Sequence, residues 1–140
     1  MTPEEHTFEE ILVGQSATTT QTFTDADVAA FAKLSGDYSP LHLDAMYAAQ
    51  TSFARPIVHG MFLGALCSRI IGMQLPGKRA LYLDQTLRFT KPVYIGDAIV
   101  AVGTVTAKSQ ATRIIEIAFV FSRGTERVAE GNAHVQVRDL

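Results

Sequence analysis

The run His59-Gly60-Met61-Phe62-Leu63-Gly64-Ala65-Leu66-Cys67-Ser68-Arg69-Ile70-Ile71-Gly72-Met73-Gln74 decides how the chain folds. Wound as a helix, it is apolar nearly all round, with Met61, Phe62, Leu63, Ala65, Leu66, Cys67, Ile70, Ile71 and Met73 spread about the axis. A surface helix carries one apolar stripe, whereas one that is apolar on every side has to be enclosed. Gly60, Gly64 and Gly72 each weaken the helix by up to about 1 kcal/mol. Such residues are tolerated where another element comes close. The pattern therefore predicts a buried helix over 59–74 with a sheet wrapped around it. His59, Ser68, Arg69 and Gln74 interrupt the apolar stretch between Pro56 and Pro76, so it does not read as a membrane span.

Working outward, the C-terminal side supplies the sheet. Ala80 to Thr90 alternates, with Leu81, Leu83, Leu87 and Phe89 in one register. Pro92 to Asp97 turns the chain into Ala98 to Ala107, rich in Val, Thr and Ile. Ile114 to Ser122 places Ile115, Ile117, Phe119 and Phe121 on one face, Gly124 marks a turn, and Val128 to Arg138 closes the chain. The N-terminal side adds a strand candidate and helices. Thr24 can cap a helix over Asp25 to Leu34 with Asp27 completing a capping box, and Val28, Phe31 and Leu34 are expected to face the core. Ser35-Gly36 stops that helix. A loop runs from Gly36 to His42, and Asp44 caps a short helix reaching Gln50. Antiparallel strands joined by short turns over one enclosed helix make an α+β fold.

Whole-chain quantities narrow the function classes. With 140 residues the chain reads as one domain over 1–140. Its 12 Lys plus Arg against 14 Asp plus Glu give a charge of −2, without the basic excess of a general nucleic-acid binder. One cysteine, Cys67, has no intramolecular disulfide partner. The acidic, polar start Met1-Thr2-Pro3-Glu4-Glu5-His6 is the reverse of a secretory signal. The expectation is a cytoplasmic, membrane-free protein.

Among candidate chemical groups, the histidines at 6, 42, 59 and 134 have no helical i, i+4 partner and no Cys pair, so no metal site is expected. Asp37 and His42 share a turn that contains Pro40, which limits the loop's freedom. An acid and a base held there can bind one water and shuttle its protons. The same residues equally suit a turn cap and a histidine bonded to backbone. His59-Gly60 opens the enclosed helix, where free N–H groups can polarise a carbonyl oxygen; Gly60 also fits simple close packing, and His59 an ordinary interior histidine. Ser68, two turns on, has either a site role or a bond back to the preceding turn.

Taken together, Phe31-Ala32-Lys33-Leu34-Ser35-Gly36-Asp37-Tyr38-Ser39-Pro40-Leu41-His42-Leu43-Asp44, Ala48-Ala49 and Phe53-Ala54-Arg55-Pro56-Ile57-Val58-His59-Gly60-Met61 resemble the MaoC-like, (R)-specific enoyl-CoA hydratases. Leu81 to Val93 with Gly96-Asp97 continues the likeness, which is strong from about Asp25 to Asp97 and architectural beyond. It implies the hot-dog fold, an antiparallel sheet wrapped around a long central helix, over one domain. It implies a homodimer whose edge strands pair, acting on an acyl-CoA substrate with no cofactor beyond that coenzyme A. By match, Asp37 and His42 become the catalytic pair, Gly60 N–H the donor to the thioester carbonyl, and Ser68 a supporting hydroxyl. Ile71, three residues beyond Ser68, is then expected to line the acyl tunnel. Which of Asp37 and His42 is base and which acid stays open, as do the residues that touch the coenzyme's phosphates; Arg55, Arg88 and Lys91 are the candidates. Ser39 stands where the family usually has Asn. On the same fold the alternatives are an acyl-CoA thioesterase and a non-catalytic acyl-CoA-binding subunit.

Overall fold

Strand propensity and helix caps lay the described residues out in nine elements. The structure, a computed structural model, describes residues 1–139. In order these are β1 (Ser16–Thr22), α1 (Asp25–Ser35), α2 (Pro40–Leu43), α3 (Ala45–Ala49), α4 (Gly60–Met73), β2 (Ala80–Phe89), β3 (Ala98–Ser109), β4 (Ile114–Arg123) and β5 (Glu126–Val137). The strands form one antiparallel sheet in the order β1-β3-β4-β5-β2. The sheet curls so that β1 and β2, its two edges, both reach α4, and β3 lies against the helix between them. This is the α+β arrangement of a sheet wrapped around one long helix.

On β4, Ile115, Ile117, Phe119 and Phe121 all point inward and are fully buried. From α4, Leu63, Leu66, Cys67, Ile70 and Ile71 meet them in the core. The close approach that the helical glycines suggested is real at two of the three. A Cβ on Gly60 would sit 2.9 Å from the Phe89 ring, and one on Gly64 would sit 3.3 Å from Leu87, both on β2; Gly72 has nothing within 4 Å. Burial pushes the Cys67 thiol up to about 12, so it behaves as one more apolar side chain.

Three expectations need correction. First, α4 is not enclosed on every side: Met61, Ala65, Ser68 and Gly72, at helical spacing, form an exposed stripe. Second, Leu34 is 89% exposed. Six residues beyond Val28, it lies about 120° around the helix from it, and Ala32 takes the inward position instead. Third, the register of β2 changes at a bulge between Tyr82 and Asp84. Leu81 and Leu83 point outward while Leu87 turns in, because an extra residue moves every later side chain to the opposite face. The caps follow the sequence reading. Thr24 and Asp27 form the capping box, Gly36 closes α1 at φ 79°, and Asp44 accepts from the N–H groups of Met46 and Tyr47. Inside the expected 36–42 loop, however, Pro40 starts the single turn α2.

At the bulge, Asp84 accepts hydrogen bonds from His134 Nδ1 at 2.8 Å and from the His134 N–H at 3.0 Å, tying β2 to β5. The His134 side-chain bond, ahead of its backbone bond, holds the Asp84 carboxyl below its ordinary range. A carboxyl depressed in the folded state adds stability that is present above its unfolded value of about 4 and lost as pH falls through the folded value. Urea unfolding across acidic pH should therefore show a loss of stability that is smaller in Asp84→Asn; an identical acid dependence in the two proteins would refute this.

Candidate functional site

Where α1 ends, local hydrogen bonds bend the chain tightly. The Gly36 N–H donates to Ala32 O at 2.9 Å, Ser35 Oγ donates to Phe31 O at 2.7 Å, and the Asp37 N–H donates to Ser35 Oγ at 3.2 Å. Asp37 Oδ1 then accepts the Ser39 N–H at 3.1 Å. Pro40, at the first helical position where its missing N–H is no loss, starts the turn that carries His42. His42 Nδ1 lies 2.7 Å from Ile57 O. A carbonyl can only accept, so Nδ1 carries a proton, and in the neutral ring the Nε2 lone pair is free. Asp37 Oδ2 sits 3.9 Å from that Nε2. His42 is largely shielded, at 13% side-chain exposure, against 51% for Asp37.

A third group completes the cluster. His59, the residue before α4, donates from Nε2 to the Asp37 backbone carbonyl at 3.0 Å. Its ring stacks on that of His42 at 3.9 Å between centroids, with Phe31 at 4.8 Å. His42, His59, Gly60, Leu63, Phe89 and Lys91 lie in the wall of a cavity of about 170 Å³. Gly60 begins α4, so its N–H has no acceptor within the helix and carries the positive end of the helix dipole. Asp37, His42 and Gly60 are thus brought together.

Ser68 and Ile71 lie elsewhere. Ser68 is eight residues beyond Gly60, about 12 Å along the helix. It is exposed and lines a second, open hollow of about 500 Å³ with Phe31, Met61, Gly64, Tyr82 and Leu87. Ile71 is 1% exposed, inside the core; the rotation over three residues takes it from the exposed stripe to the buried side. Of the candidate cations, Lys91 borders the cavity and pairs with Glu126 at 3.3 Å. The Arg55 guanidinium sits 4.0 Å from the Tyr94 ring centroid, and Arg88 lines a groove on β2, β4 and β5. His59 is the member that the sequence underrated: its partner is 22 positions away, and only the His-Gly start of the helix hinted at it.

Asp37, His42 and His59 offer ligand atoms within 4.8 Å of one another. The His59 nitrogen that approaches the Asp37 carboxylate, Nε2 at 4.0 Å from Oδ2, already donates to the Asp37 carbonyl, which leaves His42 Nε2 and the Asp37 carboxylate facing one another, fewer than the three protein ligands of a catalytic zinc site. Added Zn²⁺ should therefore leave the melting temperature unchanged in a thermal scan; a concentration-dependent rise would show that the cluster opens to take a metal.

A sequence profile of the MaoC like domain matches residues 9–122. The chain is 46% identical over 126 residues to the (R)-specific enoyl-CoA hydratase of Aeromonas caviae, covering 89% of this chain and 94% of that protein. It is 38% identical over 132 residues to the enzyme of the same name from Rhodospirillum rubrum, covering 94% and 92%. The solved structure described as the (R)-hydratase from A. caviae involved in PHA biosynthesis superposes with a TM-score of 0.89 at 44% identity, covering 93% of this chain and 99% of that one.

Proposed function

The chain belongs to the MaoC like domain family, and from that premise we propose that it hydrates trans-2-enoyl-CoA reversibly to (R)-3-hydroxyacyl-CoA. The observation that carries the reading is the pair of free acceptors, Asp37 Oδ2 and His42 Nε2, 3.9 Å apart beside a cavity opened by the first N–H of α4. A water about 2.8 Å from each acceptor closes a triangle whose apex is about 90°, close to the angle between the two O–H bonds of water. That water donates one hydrogen to each side chain and turns a lone pair towards the substrate.

As oxygen bonds to Cβ, His42 Nε2 takes the proton that the water loses and returns it to Cα, so no proton is gained or lost overall. The Nδ1–H bond to Ile57 O keeps the ring oriented through both transfers. The Asp37 carboxylate orients the water and offsets the charge on the protonated ring. Gly60 N–H faces the oxygen of the thioester as it acquires enolate character; one donor of this kind is worth about 2.7–4 kcal/mol. The thioester itself acidifies Cα, so the reaction needs no metal or redox cofactor. The bond that Asp37 receives at this position comes from the Ser39 backbone N–H, so it is independent of the Ser-for-Asn difference. Of the three candidate cations Lys91 alone lines this cavity, which favours it for the coenzyme's phosphates.

The working unit is a homodimer. Leu81 and Leu83 are exposed on β2, an edge strand, beside the exposed Met61, and pairing β2 with its copy covers both the apolar side chains and the free edge. Among the described residues no helix is long and apolar enough to cross a membrane.

Incubation with crotonyl-CoA should bleach the conjugated enoyl-thioester absorbance and yield the (R) product on chiral analysis. Release of free thiol would point instead to a thioesterase, and binding without turnover to a non-catalytic subunit. Asp37→Asn and His42→Ala should each lower kcat by about 10²–10⁴-fold with unchanged circular dichroism; near-normal bleaching in both would refute the assignment.

Ser68 and Ile71 bear on chain length. An acyl chain running down α4 from Gly60 would head towards Ser68, which lines an open hollow, with Ile71 buried three residues further on. Ile71→Val, which costs about 0.5–1.5 kcal/mol, should shift kcat/KM towards longer enoyl chains. An unchanged profile would remove Ile71 from the tunnel.

A further inference from the structure

We infer that His59 is a positioning residue for both members of the catalytic pair, an inference that rests on the hydratase reading and deepens it. Among the described residues His59 is the one charged or polar residue that is buried, at 2% exposure. Burying an imidazole is unfavourable unless its polar atoms are used, and here only one of the two is. Nε2 donates to the Asp37 carbonyl at 3.0 Å, while Nδ1 has no partner. A histidine present only to fill space would be replaced at no loss by a purely apolar ring.

Its two contacts reach different groups of the site. The Nε2–H bond crosses 22 positions and grips the backbone of Asp37 itself, whose neighbouring bonds are otherwise all local. The ring face lies 3.9 Å from that of His42 at 25°, and Phe31 backs it from another side. His42 is held edge-on by Ile57 O, so the stack supplies the restraint that a single hydrogen bond lacks, the tilt of the ring plane. Because His59 is also the N-cap of α4, directly before Gly60, one residue ties Asp37, His42 and the Gly60 N–H into one frame. Displacement of about 1 Å in such a frame can cost about 100-fold in rate.

The test separates the two contacts. His59→Phe keeps a ring for stacking and removes the donor, whereas His59→Gln keeps a donor where Nε2 stood and removes the ring. With crotonyl-CoA and matched circular dichroism, His59→Phe should lose about 100-fold in kcat with KM little changed, and His59→Gln should recover part of that loss, the remainder reflecting the missing stack on His42. A kcat for His59→Phe close to that of the unaltered enzyme, or no recovery in His59→Gln, overturns the inference while leaving the hydratase reading in place. An unaltered protein inactive on crotonyl-CoA removes both. A measurement that depends on no variant's folding is the ¹⁵N spectrum of the unaltered protein's histidines. It should show His59 protonated at Nε2 and His42 at Nδ1; the opposite tautomer at His59 overturns the inference.

Discussion

The start of α4 is held against β2 by the absence of side chains at Gly60 and Gly64, and the site depends on that approach. The Phe89 ring occupies the space that a Cβ on Gly60 would need, and Leu87 does nearly the same at Gly64. Behind them Leu63, Leu66, Ile70 and Ile71 lock the helix into the curled sheet. A helix fixed in this way has an N-terminus fixed in space, so its first N–H becomes a stationary dipole beside the cavity. A mobile helix end would have to be reorganised at each turnover, which is the expense that preorganised donors avoid.

Against that fixed end, a loop of little intrinsic stability has to be placed. Asp37 and His42 lie where few residues are buried, and their order comes from hydrogen bonds. Short-range bonds shape the bend, and three longer ones dock it: His42 Nδ1 to Ile57 O, the Ile57 N–H to Leu41 O, and His59 Nε2 to Asp37 O. The docking bonds consume the backbone carbonyls and one nitrogen of each imidazole. Apart from the buried His59 Nδ1, what remains unspent is His42 Nε2 and the Asp37 Oδ2 oxygen, and those two are the groups the proposed hydration uses. In the proposed hydration, structural and chemical roles are divided between the two nitrogens of the His42 ring.

The chain also presents apolar surface that its own fold does not cover. Met61, Leu81 and Leu83 lie on the exposed side of α4 and on the edge strand β2, and Ser68 opens onto the same side. The β2 share of that surface follows from the bulge, which turns the first half of the strand outward and Leu87 inward. One irregularity therefore turns Leu87 into the core and leaves Leu81 and Leu83 on the surface that the proposed dimer would cover.

Much of this was legible in the residues. The apolar content of 59–74, the alternation in 114–122, the Thr24–Asp27 box and the Asp44 cap each report a period or a local hydrogen bond, and both are properties of short stretches. The Asp37–His42 pair was likewise readable, since its turn is built within a few residues. Tertiary structure alone decided the rest: the outward Leu34, the reversal along β2, the separation of Ser68 from the cavity, the burial of Ile71 and the part played by His59. A bulge changes a strand's facing without changing its composition, and a bond between residues 22 apart exists only once the chain's path has brought them together. Local chemistry sets which elements form, whereas the long-range packing of those elements decides which of their atoms meet.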